Sequence, residues 1–207
     1  IIVCGDTTIP SKANLPEHSY PIVITGQDAT GNYNATLTFA YHATINGETT
    51  FEDLSLYAGN GKYVSYLFAN GHPLTMGTGL TCTGKKYPIS VAGGASNSIA
   101  GNTVLKLMSG TYHRIFGGGS ATNQLDGSAR ITVDGTVAVD GAMTANSGDV
   151  KNTNASDNEL ILTKNSNLIL HCNADIERLN AEQGSQITMD SGTTLSVLDV
   201  LSGTITA

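Results

Sequence analysis

The chain has 207 residues, only 13% of them charged, with ten basic and seventeen acidic side chains, a net charge of −7, and Gly, Thr, Ser and Asn in abundance. This composition excludes a helix-rich domain, because glycine costs about 1 kcal/mol per helical position relative to alanine and β-branched residues lose rotamer freedom there. The ten basic residues form no electrostatic footprint for a phosphate backbone, so nucleic acid is not an expected partner. No apolar run approaches the ~18 residues of a spanning helix, so no membrane insertion is expected in this segment.

The chain opens without Met on Ile1, Ile2 and Val3, as if inside a strand, and 203–207 also looks extended. Both ends are therefore expected to be internal to a longer protein. Between them, short β-type runs fall at 21–25, 35–40, 51–56, 88–92, 104–107, 131–133, 160–163, 168–171 and 187–189, separated by Gly, Asn, Asp and Ser. Runs this short suit the faces of a solenoid better than the strands of a sandwich. In the last third the alternating pairs Leu168/Leu170 and Ile187/Met189, then Ile205, recur at steps of 19 and 18 residues. A second series, Leu160/Leu162, Leu179 and Leu195/Val197, recurs at steps of 19 and 16. Self-similarity at such a period marks a repeat architecture. Two weaker echoes are 20–26 with 87–93, and 131–134 with 187–190. The expected fold is all-β, a right-handed parallel β-helix forming one domain over 1–207, with nine or ten rungs about 4.8 Å apart and a rod of about 45 Å.

The run Thr50, Phe51, Glu52, Asp53, Leu54, Ser55, Leu56 resembles the F-x-x-L-x-[LI] rung of pectin-lyase-like β-helices. The stretch from Ser109, Gly110 and Thr111 through Ile115, Phe116, Gly117, Gly118 and Gly119, followed by Ile131, Thr132, Val133, Asp134 and Gly135, is similar to rungs of adhesin-like surface proteins from Gram-positive gut bacteria. The resemblance covers about residues 1–145. It implies a secreted or cell-surface location and carries over no functional residue.

Catalytic signatures are scarce. Gly79 to Lys86 fits G-x-x-x-x-G-K but has Lys86 where a magnesium-binding Ser or Thr belongs, and the extended Tyr87, Pro88, Ile89 that follows cannot open a phosphate-binding helix. A solenoid corner is expected there, and at Gly117 to Gly119. No G-x-S-x-G, S-x-x-K or H-E-x-x-H occurs. His18, His42, His72, His113 and His171 are dispersed, and Cys4, Cys82 and Cys172 stand far apart, so no metal and no cofactor is expected. The cysteines read as buried free thiols, one disulfide with an odd thiol being the alternative. Asp134, Asp140 and Asp190 precede turn residues and read as turn chemistry rather than calcium loops.

Carboxylates at i, i+2 spacing, Asp157/Glu159 and Asp175/Glu177, share a strand face and are the least unfavourable acid/base pairs for a polysaccharide lyase or glycoside hydrolase. Aromatic side chains supply the positive hint of binding, since flat rings stack on sugar faces. Tyr57, Tyr63 and Tyr66, with Phe68, crowd one stretch, and Tyr112, His113 and Arg114 another. Tyr57, Tyr63, Tyr66, Tyr112 and Arg114 are therefore the candidate binding residues, and no catalytic residue is assigned. The expected function is a non-enzymatic surface or adhesin-like module, acting as a stalk or as a face for host or bacterial glycans or surface proteins. The alternatives are a carbohydrate-active enzyme of the pectin-lyase-like fold and a trimeric tail-spike-like rod.

Overall fold

Residues 1–10, 13–94, 101–120, 127–145 and 158–203 are described by the structure, a computed structural model. Alternation decides which side chains face inward. In Thr36–Phe39, Thr49–Glu52 and Ser55–Ala58 every second residue is buried, which puts Leu37, Phe39, Phe51, Leu56 and Ala58 inside.

The strands stack in three parallel ladders. The first runs through Ile22–Thr25, Thr49–Glu52, Leu74–Met76, Thr103–Leu107, Ala129–Val133, Glu159–Leu162, 178–181 and 199–202. The second joins Thr7–Ile9, Thr36–Phe39, Ser55–Ala58 and Thr81–Gly84, and resumes with 111–112, 136–139, Asn167–Leu170 and Gln186–Met189. The third joins Ala13–Asn14, Ala43–Thr44, Tyr66–Phe68, Ser90–Ala92, 114–116, 142–144, 174–176 and 195–197. The chain visits first, second and third ladder in unchanging order. A small hairpin, Gln27–Asp28 against Gly31–Asn32, is the one antiparallel pairing among the described residues. The architecture is all-β, without a helix among the described residues, and its large parallel sheets are compatible with a β-solenoid.

Register makes the core columnar. Ile24, Phe51, Met76, Leu107, Val133 and Leu162 are successive partners in the first ladder, and all are buried. Phe51, Leu54 and Leu56 of the F-x-x-L-x-L run are core residues. The chain turns at Asp53, whose φ of 51° is the left-handed conformation that Asp and Asn tolerate.

Several expectations need correction. Steps of 19 hold from Leu160 to Leu179 and from Leu168 to Ile187. Leu179 is followed in its ladder by Val200, whereas Leu195 pairs with Ala174. Earlier coils are longer: Ala43, Leu67, Val91 and Ile115 are partners at steps of 24, and Met143 to Ala174 spans 31. Among the described residues the third ladder has eight strands, seven spacings of about 4.8 Å or about 34 Å, and the first ladder has eight with one further level where Ile2 bridges Thr25. The echoes join different faces: 22–25 is in the first ladder and 90–92 in the third, and 131–133 is in the first and 187–189 in the second. Cys82 and Cys172 are buried free thiols, but Cys4 is exposed. Ile205, with the rest of 204–207, lies outside the described residues.

Candidate functional site

The second ladder is interrupted between Thr81–Gly84 and 111–112, and Tyr112 sits at the break. Its ring is fully buried, with the hydroxyl donating to the Ser109 carbonyl at 2.7 Å. Ser109 Oγ bridges the gap by accepting from the Leu80 N–H at 3.1 Å and donating to the Gly77 carbonyl at 2.7 Å. Burial raises the Tyr112 hydroxyl well above its ordinary pKa and pushes the adjacent Cys82 thiol up to about 12. Both groups stay protonated, and Tyr112, expected as a surface ring, is instead core filling.

Tyr57 faces outward on the second ladder between its register partners Thr38 and Thr83 and is half-buried. Tyr66 is 6% exposed and lies with Phe68, Ala92 and Phe116 in a small apolar cluster on the outer side of the third ladder. Its ring stacks on Phe68 at 5.2 Å and 11°, and its hydroxyl accepts from Arg114 Nη1 at 3.2 Å. His42 leans on both rings, at 5.7 and 5.5 Å, and its Nδ1 accepts from the Tyr66 backbone N–H at 3.2 Å. Tyr66 and Arg114 thus meet, as support for a neighbouring edge rather than as its accessible surface.

That edge is the corner where the second ladder turns into the third. Tyr63, half exposed, meets Tyr41 edge-on at 6.0 Å. One coil further, Tyr87 stacks on His113 at 4.2 Å and 19°. Tyr63 and Tyr87 both stand four residues before register partners, Leu67 and Val91. Each follows a lysine whose ammonium lies 4.9 Å from its ring centroid, Lys62 over Tyr63 and Lys86 over Tyr87, a cation–π arrangement. Local geometry holds the repeat in place. Asn60 Oδ1 accepts from the backbone N–H groups of Lys62 and Tyr63 at 2.8 and 2.9 Å. Gly84 lies so close to the Tyr87 carbonyl that a Cβ would be 1.8 Å from its oxygen, so this turn requires glycine. Four rings therefore line one corner over successive coils, with Lys62, Lys85 and Lys86 exposed beside them. His113 has its pKa lowered by burial first and by Arg114 second.

Tyr41, Lys62, Lys86 and Tyr87 were not among the binding residues expected from the sequence, whereas His113 stood in the expected stretch beside Tyr112 and Arg114. The Lys-Tyr pair repeating at 24 residues, the coil spacing here, was the available signal. A second signal was charge segregation. Residues 54–125 hold five basic side chains and no Asp or Glu, against five basic and seventeen acidic in the remainder, so +5 faces −12. No family model, curated protein or solved structure matches this chain.

The carboxylate candidates separate from this corner. Glu159 accepts from Asn180 Nδ2 at 3.2 Å and lies 3.6 Å from Arg130 Nη2; Asp157 lies outside the described residues. Asp175 is exposed, whereas Glu177, 7% exposed, has Oε2 without a hydrogen-bond partner. Burial foremost, and the Asp175 charge to a lesser degree, raise the Glu177 pKa, while the Asn158 amide works against them. Asp134 accepts from Lys106 at 2.7 Å and from Thr163 at 2.6 Å, and Asp190 pairs with His171 at 2.8 Å. No cluster of three His, Cys, Asp or Glu is gathered as a metal site among the described residues.

Proposed function

We propose that this chain is part of a right-handed parallel β-helix of pectin-lyase-like type, serving a bacterial surface or adhesin-like protein as a rod whose lateral corner binds glycans. The handedness follows from the strong preference of crossovers between parallel strands in one sheet. The surface location rests on the likeness of 109–119 and 131–135 to adhesin-like rungs. The observation that carries the binding reading is the row Tyr41, Tyr63, Tyr87 and His113, partly exposed rings that line one corner over successive coils. Rings held by tight turns on a rigid scaffold suit sugar contact once the flexible Lys62 and Lys86 side chains swing off them, because little freedom of the rings is lost on binding.

The experiment is a glycan array with the native chain, a Tyr63→Ala/Tyr87→Ala double variant, and Tyr57→Ala as a control on another face. Binding by the native chain and by Tyr57→Ala, lost in the double variant, is expected. Binding that survives the double variant moves the site elsewhere, and no binding at all leaves the stalk role.

Glu177 favours one second reading, a glycoside hydrolase or lyase. A nearly buried carboxyl whose pKa is raised chiefly by burial has the character of a general acid. Reducing-sugar or unsaturated-product release from a polysaccharide panel, abolished by Glu177→Gln, would establish it; silence at high protein concentration removes it.

A further inference from the structure

The corner that carries the rings lies in the one stretch of the sequence with a net positive charge, +5 over 54–125 against −12 in the remainder. Stacking consecutive coils converts sequence position into height along the rod, so the described coils of 54–120 carry no acidic residue, and the next coil brings Asp140 to the same corner beside His113. Within 54–120, Lys62, Lys85, Lys86 and Arg114, four of the ten basic residues, border the second-to-third corner. The Lys85 stem lies over Gly61 of the preceding coil, whose Cβ position would be 3.1 Å from Lys85 Cδ. This brings the Lys85 side chain over the coil that carries Lys62, with Lys86 next to it in sequence. A stalk requires no such concentration of cations.

We infer that the ligand of this corner is an anionic glycan lying along the rod axis, an inference that rests on the glycan-binding reading of the same corner. The rungs are about 4.8 Å apart, close to the length of one pyranose unit, so successive coils meet successive sugars. Tyr63 and Tyr87 supply rings at that interval, and Lys62 and Lys86, which lie over them, supply charges and would swing from the rings to the ligand's anionic groups. Sulfate and carboxylate groups share the chemistry that lysine reads as a point charge. An acidic protein lacks the repeating sugar faces and is less suited to the rings.

The test measures binding of the native chain to dextran, dextran sulfate, heparin, hyaluronate and polyglutamate at low and physiological salt, with Lys62→Gln/Lys86→Gln, Tyr63→Ala/Tyr87→Ala and Lys164→Gln beside it. Circular dichroism checks that each variant is folded. The expected result is binding to a sulfated or carboxylated glycan, weakened by salt, and absent for dextran. The lysine double variant should lose about tenfold, the scale of two exposed ion pairs, while Lys164→Gln, outside that stretch, binds as the native chain does. Whether dextran sulfate and heparin or hyaluronate is retained identifies the anion. Equal binding to dextran, lost only in the tyrosine variant, would overturn the anionic inference and leave glycan binding standing. Polyglutamate binding as tightly as any glycan would overturn the sugar requirement. No binding to these probes or to a neutral glycan array would overturn both.

Discussion

Glu177 has the surroundings least suited to its chemistry. It lies at the bend between 174–176 and 178–181, nearly buried, with an unpartnered oxygen. Its folded-state pKa lies above the ordinary 4.5, raised chiefly by burial. For an acid shifted upward, the unfolded chain binds fewer protons between 4.5 and the folded value, so stability falls as pH rises through that window and the penalty persists at neutral pH. Glu177→Gln is therefore expected to stabilise the chain at pH 7, because the amide carries no charge for burial to penalise, and to change stability much less at pH 4. Thermal melts at both pH values check this. Destabilisation at pH 7 would mean that the carboxylate itself is held by a favourable contact. The residue also illustrates what a sequence conceals: Asp175 and Glu177 look equivalent at i, i+2, yet a bend inside one strand exposes one and buries the other. Tyr112 was misread for a related reason, since nothing in its neighbours announces a break in the second ladder, where an inward ring fills the space.

Within each ladder, stability comes from columns in which one coil's side chain rests on the next. Leu105, fully buried, is the partner of Leu74 on one side and Ile131 on the other. Leu105→Ala should cost about 2–5 kcal/mol, because neighbours fixed by ladder hydrogen bonds cannot close the cavity. Leu198→Ala, at 78% exposure, should stay within about 0.5 kcal/mol. Denaturant unfolding distinguishes them, and a cost below about 1 kcal/mol at Leu105 would show that the column relaxes readily. These columns were legible. The nine runs read from the sequence fall within two residues of strands, 51–56 spanning two, although strands such as Thr7–Ile9, Tyr66–Phe68 and Thr81–Gly84 were not read, and Phe51, Leu54 and Leu56 marked two faces and the corner between them. Coil length was legible only where corners are tight. The last coils run at 19 to 21 residues, whereas earlier ones gain up to a dozen residues between strands, as between Met143 and Ala174. A single period read from the last third could not carry back through such insertions. The aromatic corner was half legible: Tyr63 stood out in the sequence, but Tyr87 and its lysine become its partners only through the 24-residue coil.

At the scale of the whole molecule, parallel stacking leaves open ends. Gln186–Met189 and Leu195–Ser202 each pair on one side only among the described residues. Ile187, Leu195 and Val197, which point toward the core, are only partly buried. A cavity of about 730 Å³ opens there, lined by Leu162, Leu179, Ile187, Leu195, Val197 and Val200 among others. Leu198, Val200 and Leu201 are 78%, 42% and 41% exposed. Apolar surface beside unpaired N–H and C=O groups is a template for another strand. The 1–207 chain in solution is therefore expected to self-associate as concentration rises, through this edge and not through the charged corner. Sedimentation velocity from low to high micromolar concentration should show the shift. Leu198→Lys/Val200→Lys, which places like charges on the edge, should suppress it, whereas Lys62→Gln/Lys86→Gln should not. A native chain that remains monomeric throughout would show that the edge is already satisfied. Association unchanged by the edge lysines would place the contact on a lateral face, where it would compete with the ligand proposed for the corner.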